Sequence, residues 1–276
     1  MNHLLREAAA SVGASPALVP FLGLLFEGVD SLGSSPARVV RMLRNARVGP
    51  GSRVLDLGCG KGAAAIALAQ TLGCRCTGID AVPEFVAAAN AAARQRGVSK
   101  LCEFRAGNLR QFARAGAYDA AIMLGVLDVE RGRRVLRRSV RPGGVYILDD
   151  AVAVRPRRGC PTLDEARRIL TRGGDRIEVE DLWTPQQTLR QEEQLHRQLS
   201  RNAARIAMSH PRLQRSLASF LQRQQRAARE LQTRFQPVQW MVRKSGWRGG
   251  GEGGGRWGVL SLTRSNAPGH PRAPRE

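Results

Sequence analysis

The densest chemistry in the sequence lies in Val54-Leu55-Asp56-Leu57-Gly58-Cys59-Gly60-Lys61-Gly62. A short apolar run ends on three alternating glycines, and an Ala-rich stretch follows. Glycine lets the backbone turn sharply and lets a ligand approach with no Cβ in the way. A helix opening after such a loop presents unpaired N–H groups and a partial positive charge, which suits a ligand carboxylate. Asp56, two residues ahead of the first glycine, suits a ligand ammonium and would repel a pyrophosphate. Gly58, Gly60 and Ala63 taken alone also satisfy the dinucleotide-binding pattern with Ala in third place. No Gly-Lys-Ser/Thr step follows, so a triphosphate-binding loop is not supported.

Further along, Gly78-Ile79-Asp80 places an acid 20 residues beyond Gly60. A carboxylate at the end of a second strand can accept hydrogen bonds from both ribose hydroxyls; a cap for the helix opening at Pro83 is the rival role. Ala81 or Val82 is positioned to pack on an adenine face. In Gly107-Asn108-Leu109, the Asn108 carbonyl oxygen can accept from an adenine amine or cap a short helix. Gly125 allows close backbone approach. Asp149 and Asp150, expected to end a fifth strand, are candidates for a base or a substrate anchor; their alternative role is to orient the loop that follows. Glu27, Asp30, His196 and His210 are weaker candidates, and no catalytic residue is assigned.

The elements that must position these groups follow from periodicity. Apolar, β-branched runs predict strands at 53–57, 75–80, 101–105, 118–124, 145–148, 176–182 and 237–242. Helices are expected at 62–72, 83–96 (with Pro83 at the first position), 109–113, 131–140 and 164–172. Arg141-Pro142-Gly143-Gly144 reads as a turn. Strands alternating with helices imply parallel pairing and right-handed crossovers. Residues 1–48 read as helical, with Leu18, Phe21, Leu22, Leu25 and Phe26 at helical spacing and Pro36 opening a second helix. Residues 186–235 are Gln- and Arg-rich and predict two helices broken near His210-Pro211. The expected organisation is an N-terminal helical cover (1–48), a core (49–183), a helical insertion or lid (184–235), a last core strand (236–244) and a disordered Gly/Arg/Pro-rich tail (245–276).

In this order, Asp56-x-Gly-x-Gly-x-Gly resembles motif I of the class I S-adenosylmethionine-dependent methyltransferases, and Asp80, Asn108, the 118–127 strand and the Arg-Pro-Gly-Gly turn fall where that superfamily has its later landmarks. Asn108 departs from the Asp usual there. The resemblance covers about 53–150. It implies a Rossmann-like, doubly wound α/β fold: a mostly parallel seven-stranded sheet with helices on both faces. It implies S-adenosyl-L-methionine as cofactor, with contacts from Asp56, Gly58, Cys59, Gly60, Asp80, Ala81, Asn108, Leu109 and Leu124. The sequence has no Asn/Asp-Pro-Pro-aromatic tetrad after the fourth strand, and Cys160-Pro161 runs opposite to the Pro-Cys order of covalent cytosine attack. The leading helices and late insertion resemble those of small-molecule methyltransferases, which use them as a substrate cover.

Composition leaves the acceptor open. The formal charge is +21, and of 44 basic residues only Lys61, Lys100 and Lys244 are lysine. Such charge is expected of a nucleic-acid binder or of Arg-favouring coding bias. It is spread along the chain, +8 over residues 1–150 and +13 over the rest, rather than concentrated in one patch. A nucleic-acid methyltransferase, an NAD(P)-dependent oxidoreductase and a binding protein without turnover are the rival readings. Cys59, Cys74, Cys76, Cys102 and Cys160 are odd in number, and Cys74-Arg75-Cys76 lacks the gap of a zinc knuckle, so reduced thiols in a cytoplasmic protein are expected. The apolar stretch 16–29 is too short and too broken to span a bilayer.

Overall fold

A computed structural model describes residues 3–29, 35–109, 115–246 and 260–261. Among them the strands are β1 (Arg53–Leu57), β2 (Arg75–Asp80), β3 (Cys102–Ala106), β4 (Tyr118–Met123), β5 (Val140–Ala153), β6 (Arg176–Leu182), β7 (Phe235–Arg243) and β8 (Leu260–Ser261). They form one sheet in the order β3-β2-β1-β4-β5-β7-β6-β8. β1 to β5 pair in parallel, and β7 enters antiparallel between β5 and β6. All seven expected strands are present. The eighth adds two residues beside β6 in parallel, within the stretch read as a disordered tail; most of that stretch lies outside the described residues.

The helices are α1 (His3–Ser11), α2 (Leu22–Leu25), α3 (Pro36–Asn45), α4 (Ala63–Leu72), α5 (Pro83–Gln95), α6 (Val129–Ser139), α7 (Leu163–Thr171), α8 (Pro185–Ser209) and α9 (Gln214–Thr233), with a 3-10 turn at Pro16–Phe21 before α2. The short helix expected at 109–113 falls largely outside the described residues. The central strands are buried on both faces, as parallel strands flanked by helices must be. One core joins Val54, Ile122 and Ile147 of the sheet to α3, α4 and α5. The other joins Leu55, Leu57, Met123 and Tyr146 to α6 and α7. The opposite assignment of Val54 and Leu55 is the period-two alternation of a strand.

A third core stands apart from the sheet. Leu18, Leu22, Leu25 and Phe26 pack with Leu199, Ala203 and Ile206 of α8, Leu217 and Phe220 of α9, and Val82 and Phe85 at the start of α5. Phe26 meets Phe85 and Phe220 edge-on, with ring centroids 6.1 and 6.2 Å apart, a preferred aromatic geometry. The N-terminal segment and the late insertion, far apart in sequence, thus share one core. A capping box at Thr184 and Gln187 starts α8, and the helix ends at His210 before Pro211, where the missing N–H halts propagation.

The fifth strand differs from the sequence expectation at both ends. α6 stops at Ser139 and the strand begins at Val140, so 141–144 are a bulge within β5 rather than a turn before it: Tyr118 pairs with Val140, and Ala120 with Val145. Gly143 takes φ +74, and a Cβ on Gly144 would sit 2.6 Å from the Asp119 carbonyl oxygen, which explains the glycine pair. At the other end, β7 pairs along the whole strand, from Val145–Arg243 to Ala153–Phe235. Asp149 and Asp150 therefore sit inside the strand and do not end it.

Among the described residues no single helix is long and apolar enough to cross a membrane. Leu5–Ser11 and Pro16–Leu25 together have the length and composition but are bent by 91°.

Candidate functional site

The order of the sheet reverses direction between β1 and β4, and the crevice outside the carboxyl ends of strands at such a switch point is where open α/β sheets bind ligands. A cavity with about 1330 Å³ of empty space, partly open to solvent, lies there. Asp56, Gly58, Cys59, Gly60, Asp80, Ala81, Asn108, Leu109 and Leu124 all line it. They arrive from the ends of β1 to β4, four segments spread over about seventy residues.

Close packing explains the glycine loop. Gly58 has φ +77, and a Cβ there would lie 2.3 Å from Val126 Cγ2. Gly60 has φ +52 with open space where a Cβ would be. The Gly58 and Cys59 N–H groups both donate to the Ile79 carbonyl at 2.8 and 3.1 Å, and Gly62 N–H donates to Cys59 O at 2.8 Å. These loop amides are therefore occupied within the protein. The first turn of α4 supplies Ala63 and Ala64 to the wall instead.

The helix at Pro83 has no side-chain cap, while Asp80 lines the cavity and ties the glycine loop to the end of β2. Its Oδ2 accepts from Gly60 N–H at 2.8 Å and its Oδ1 from Val82 N–H at 2.9 Å, while the residue lines the cavity. Burial raises its pKa, against the lowering effect of these N–H groups. Each carboxylate oxygen retains acceptor capacity beyond the bond it makes. Asp56 is more isolated. It is 3% exposed, its Oδ2 has no hydrogen-bond partner, and burial followed by the nearby Asp80 charge pushes its pKa up to about 7. A buried carboxylate oxygen without a partner is costly and is rare enough to require an explanation. Burial, with the fields of Asp56 and Asp80, also holds the Cys59 thiol protonated, so it lines the wall without being a nucleophile.

Asp149 and Asp150 are not in the cavity lining. Asp149 Oδ1 accepts from Gly125 N–H at 2.5 Å, and Gly125 lines the cavity. Asp150 Oδ2 accepts from Val129 N–H at 2.8 Å, adding to the Asp128 cap of α6. Burial raises the Asp150 pKa to about 6. Both carboxylates hold the segment between β4 and α6, which precedes them, rather than the loop that follows. Among the weaker candidates, Glu27 pairs with Arg205 at 2.7 Å, His196 lies beside Gln225 on the far side of the insertion, and His210 contacts the Phe21 ring. Asp30 lies outside the described residues.

Sequence reasoning did not identify most of the roof. Glu7, Ala8 and Ser11 of α1, with Val12, Leu22, Phe26 and Val29, also line the cavity. A helical cover from residues 1–48 is what the resemblance implies, but the apolar spacing does not say which of its residues reach the cavity. Lys61, Val82, Phe85, Val126 and Leu127 complete the lining. Lys61 is its one basic residue among those described.

Residues 54–144 match the model of the family described as a methyltransferase domain. The uncharacterized protein YjhP of Escherichia coli K12 is 31% identical over 111 residues, which is 39% of this chain and 45% of YjhP; the match thus spans less than half of that relative. The YjhP crystal structure aligns over 79% of this chain and 98% of its own, with TM-score 0.66 and 18% identity. A methyltransferase of Thiobacillus denitrificans, solved with S-adenosyl-L-homocysteine, aligns over 80% of this chain and 97% of its own with TM-score 0.66 and 18% identity. The [4+2]-cyclase SpnF aligns over 83% and 93% with TM-score 0.64 and 20% identity. Residues 54–144 of this chain thus resemble a methyltransferase domain, on a fold shared with solved S-adenosylmethionine-dependent methyltransferases.

Proposed function

We propose that the protein binds S-adenosyl-L-methionine in this cavity and transfers its methyl group to a small-molecule acceptor. The observation that carries the reading is the unpartnered Asp56 oxygen beside the cavity, a site for the ligand's ammonium. Gly58 and Gly60 leave the loop free of side chains where the ligand approaches, and Asp80 is placed for the ribose hydroxyls. Ala81 and Val82 are placed to pack against the adenine, and Asn108 to accept from its amine. Leu124 and Gly125 border the methionine part.

The bound cofactor supplies an activated methyl group, so the protein has little covalent chemistry to perform. Its contribution is alignment for in-line displacement and exclusion of water. The roof from α1 and the segment at 22–29 fits the second task. Asp149 keeps Gly125 in place without touching the cavity, which fits a reaction that needs a base only when the acceptor arrives protonated.

The acceptor is read as a small molecule because the roof is mostly apolar, with Glu7 its one charged residue among those described, and no described arginine lines the cavity, in a chain where arginine is the dominant charge. A nucleic-acid substrate needs phosphate-contacting cations around its site. The fold alone does not fix the reaction, as a cyclase on the same architecture illustrates. Incubating cell extract with the protein and methyl-labelled cofactor, followed by mass spectrometry, tests the reading. Label in a low-molecular-weight product supports it. Label confined to RNA or DNA, or a gel shift with either at low salt, would replace it with the nucleic-acid reading.

A further inference from the structure

The carbonyls of Leu25, Phe26 and Glu27 sit together at the end of α2, where a helix leaves its last C=O groups without intrahelical partners. Each accepts from a side chain elsewhere in the chain, and Phe26 O also accepts from Val29 N–H at 3.0 Å. Lys61 Nζ, from the glycine loop, donates to Phe26 O at 2.5 Å. Asn202 Nδ2, from α8, donates to Leu25 O at 2.9 Å and to Glu27 O at 2.7 Å. Gln198 Nε2, one turn earlier on α8, donates to Glu27 O at 3.1 Å. Asn202 is 2% exposed, so this is an interior clasp. Lys61 also lies 5.9 Å from the centroid of the Phe85 ring, within cation–π range. The segment so held carries Leu22, Phe26 and Val29, the part of the roof nearest the glycine loop.

Resting on the reading that the cavity takes S-adenosylmethionine, we propose that Lys61 is a positioning residue that couples the glycine loop to the roof, with Asn202 as the fixed anchor on the other side. Lys61 sits between Gly60 and Gly62, so whatever settles the loop settles its ammonium. That ammonium holds the carbonyl of Phe26, whose ring belongs both to the roof and to the core shared by α5 and α9. The late insertion therefore holds the roof from outside while the cofactor loop draws it from inside. A filled cavity orders the clasp, and an ordered clasp retains the ligand and keeps water from the methyl group. This gives α8 a part in the site although none of its residues lines the cavity.

Hydrogen exchange of the full chain, with and without S-adenosylhomocysteine, tests this together with ligand dissociation rates. In the wild type, ligand should slow exchange over residues 22–29. Lys61→Met should exchange faster over this segment even without ligand, lose most of the ligand-induced protection and release ligand about tenfold faster, with a melting temperature close to wild type. Lys61→Arg should restore much of the protection. Asn202→Asp, which retains the shape and lacks the donors, should loosen the same segment. A Lys61→Met variant whose exchange over 22–29 equals wild type in the free protein would overturn the coupling, whatever the ligand proves to be. If instead calorimetry shows no ligand binding to wild type while the free variants still differ over 22–29, the cofactor reading fails and the clasp stands without its coupling role.

Discussion

Asp80 Oδ2 accepts the Gly60 N–H at 2.8 Å, tying the end of the second strand to the middle of the glycine loop. The acid that faces the cavity also fixes the loop that shapes it. A place in the cavity wall and a structural tie, which read as alternatives in the sequence, therefore coexist in one carboxylate.

Asp80→Ala should lower cofactor affinity roughly ten- to a hundredfold, since hydrogen bonds to charged groups contribute about 1.5–3 kcal/mol. It should also reduce stability by about 1–3 kcal/mol by leaving the Gly60 and Val82 N–H groups without their partner. Isothermal calorimetry and denaturant unfolding measure the two effects separately. Unchanged cofactor affinity would remove Asp80 from the site.

Asp56 makes a pH prediction. Its pKa in the folded protein is raised from 3.8 to about 7, so the folded state binds this proton more tightly than the unfolded chain does. The buried charge therefore costs nothing below about pH 4; its cost grows as pH rises from there and levels off above about 7. Asp56→Asn should be more stable than wild type at pH 8 and lose that advantage toward pH 4. Cofactor affinity should behave in the opposite way, rising with pH up to about 7, because the ammonium needs the ionised carboxylate. Calorimetric titrations at pH 6 and 8 should show this rise in the wild type, and it should vanish in Asp56→Asn.

The close approach of Gly58 to Val126 sets a packing test. Gly58→Ala should destabilise by about 1–2 kcal/mol from the left-handed backbone and about 1–3 kcal/mol from overpacking. Adding Val126→Ala removes the methyl group that the new Cβ meets, so the double variant should recover the packing part and retain the backbone part. Denaturant midpoints of the two single variants and the double variant check it; strict additivity would show that the contact is not the cause.

Asp149→Asn and Asp150→Asn separate support from chemistry. Both carboxylates are bound to backbone N–H groups and do not line the cavity. The pH profile of turnover should keep its shape in each, with a loss of stability in Asp150→Asn from the weakened start of α6. Loss of one limb of the pH profile would make that carboxylate the base after all.

The core was legible because its signals are local. β1 and β2 have the bounds expected from their sequence, 53–57 and 75–80, and the alternating glycines of 58–62 mark the loop that follows β1. Asp80 was legible by its distance from that loop. The limits lay where a partner distant in sequence decides the outcome. β5 continues past residue 148 because β7 pairs with it to Ala153, a pairing that the local pattern at 145–148 does not contain. The roles of Asp149 and Asp150 followed that error, since residues inside a strand reach different neighbours from residues at its tip. The roof was visible as an apolar helical face and, by resemblance, as a cover, but not residue by residue. Lys61 and Asn202 gave no signal, because their partners are backbone carbonyls 35 and about 175 residues away, and carbonyls have no sequence identity.

The most direct test of the central claim is a calorimetric titration of the full chain with S-adenosylhomocysteine and, in parallel, with NADH. The arrangement of Asp56, the glycine loop and Asp80 predicts saturable binding of S-adenosylhomocysteine at one site and none of NADH. Binding of NADH alone would contradict it.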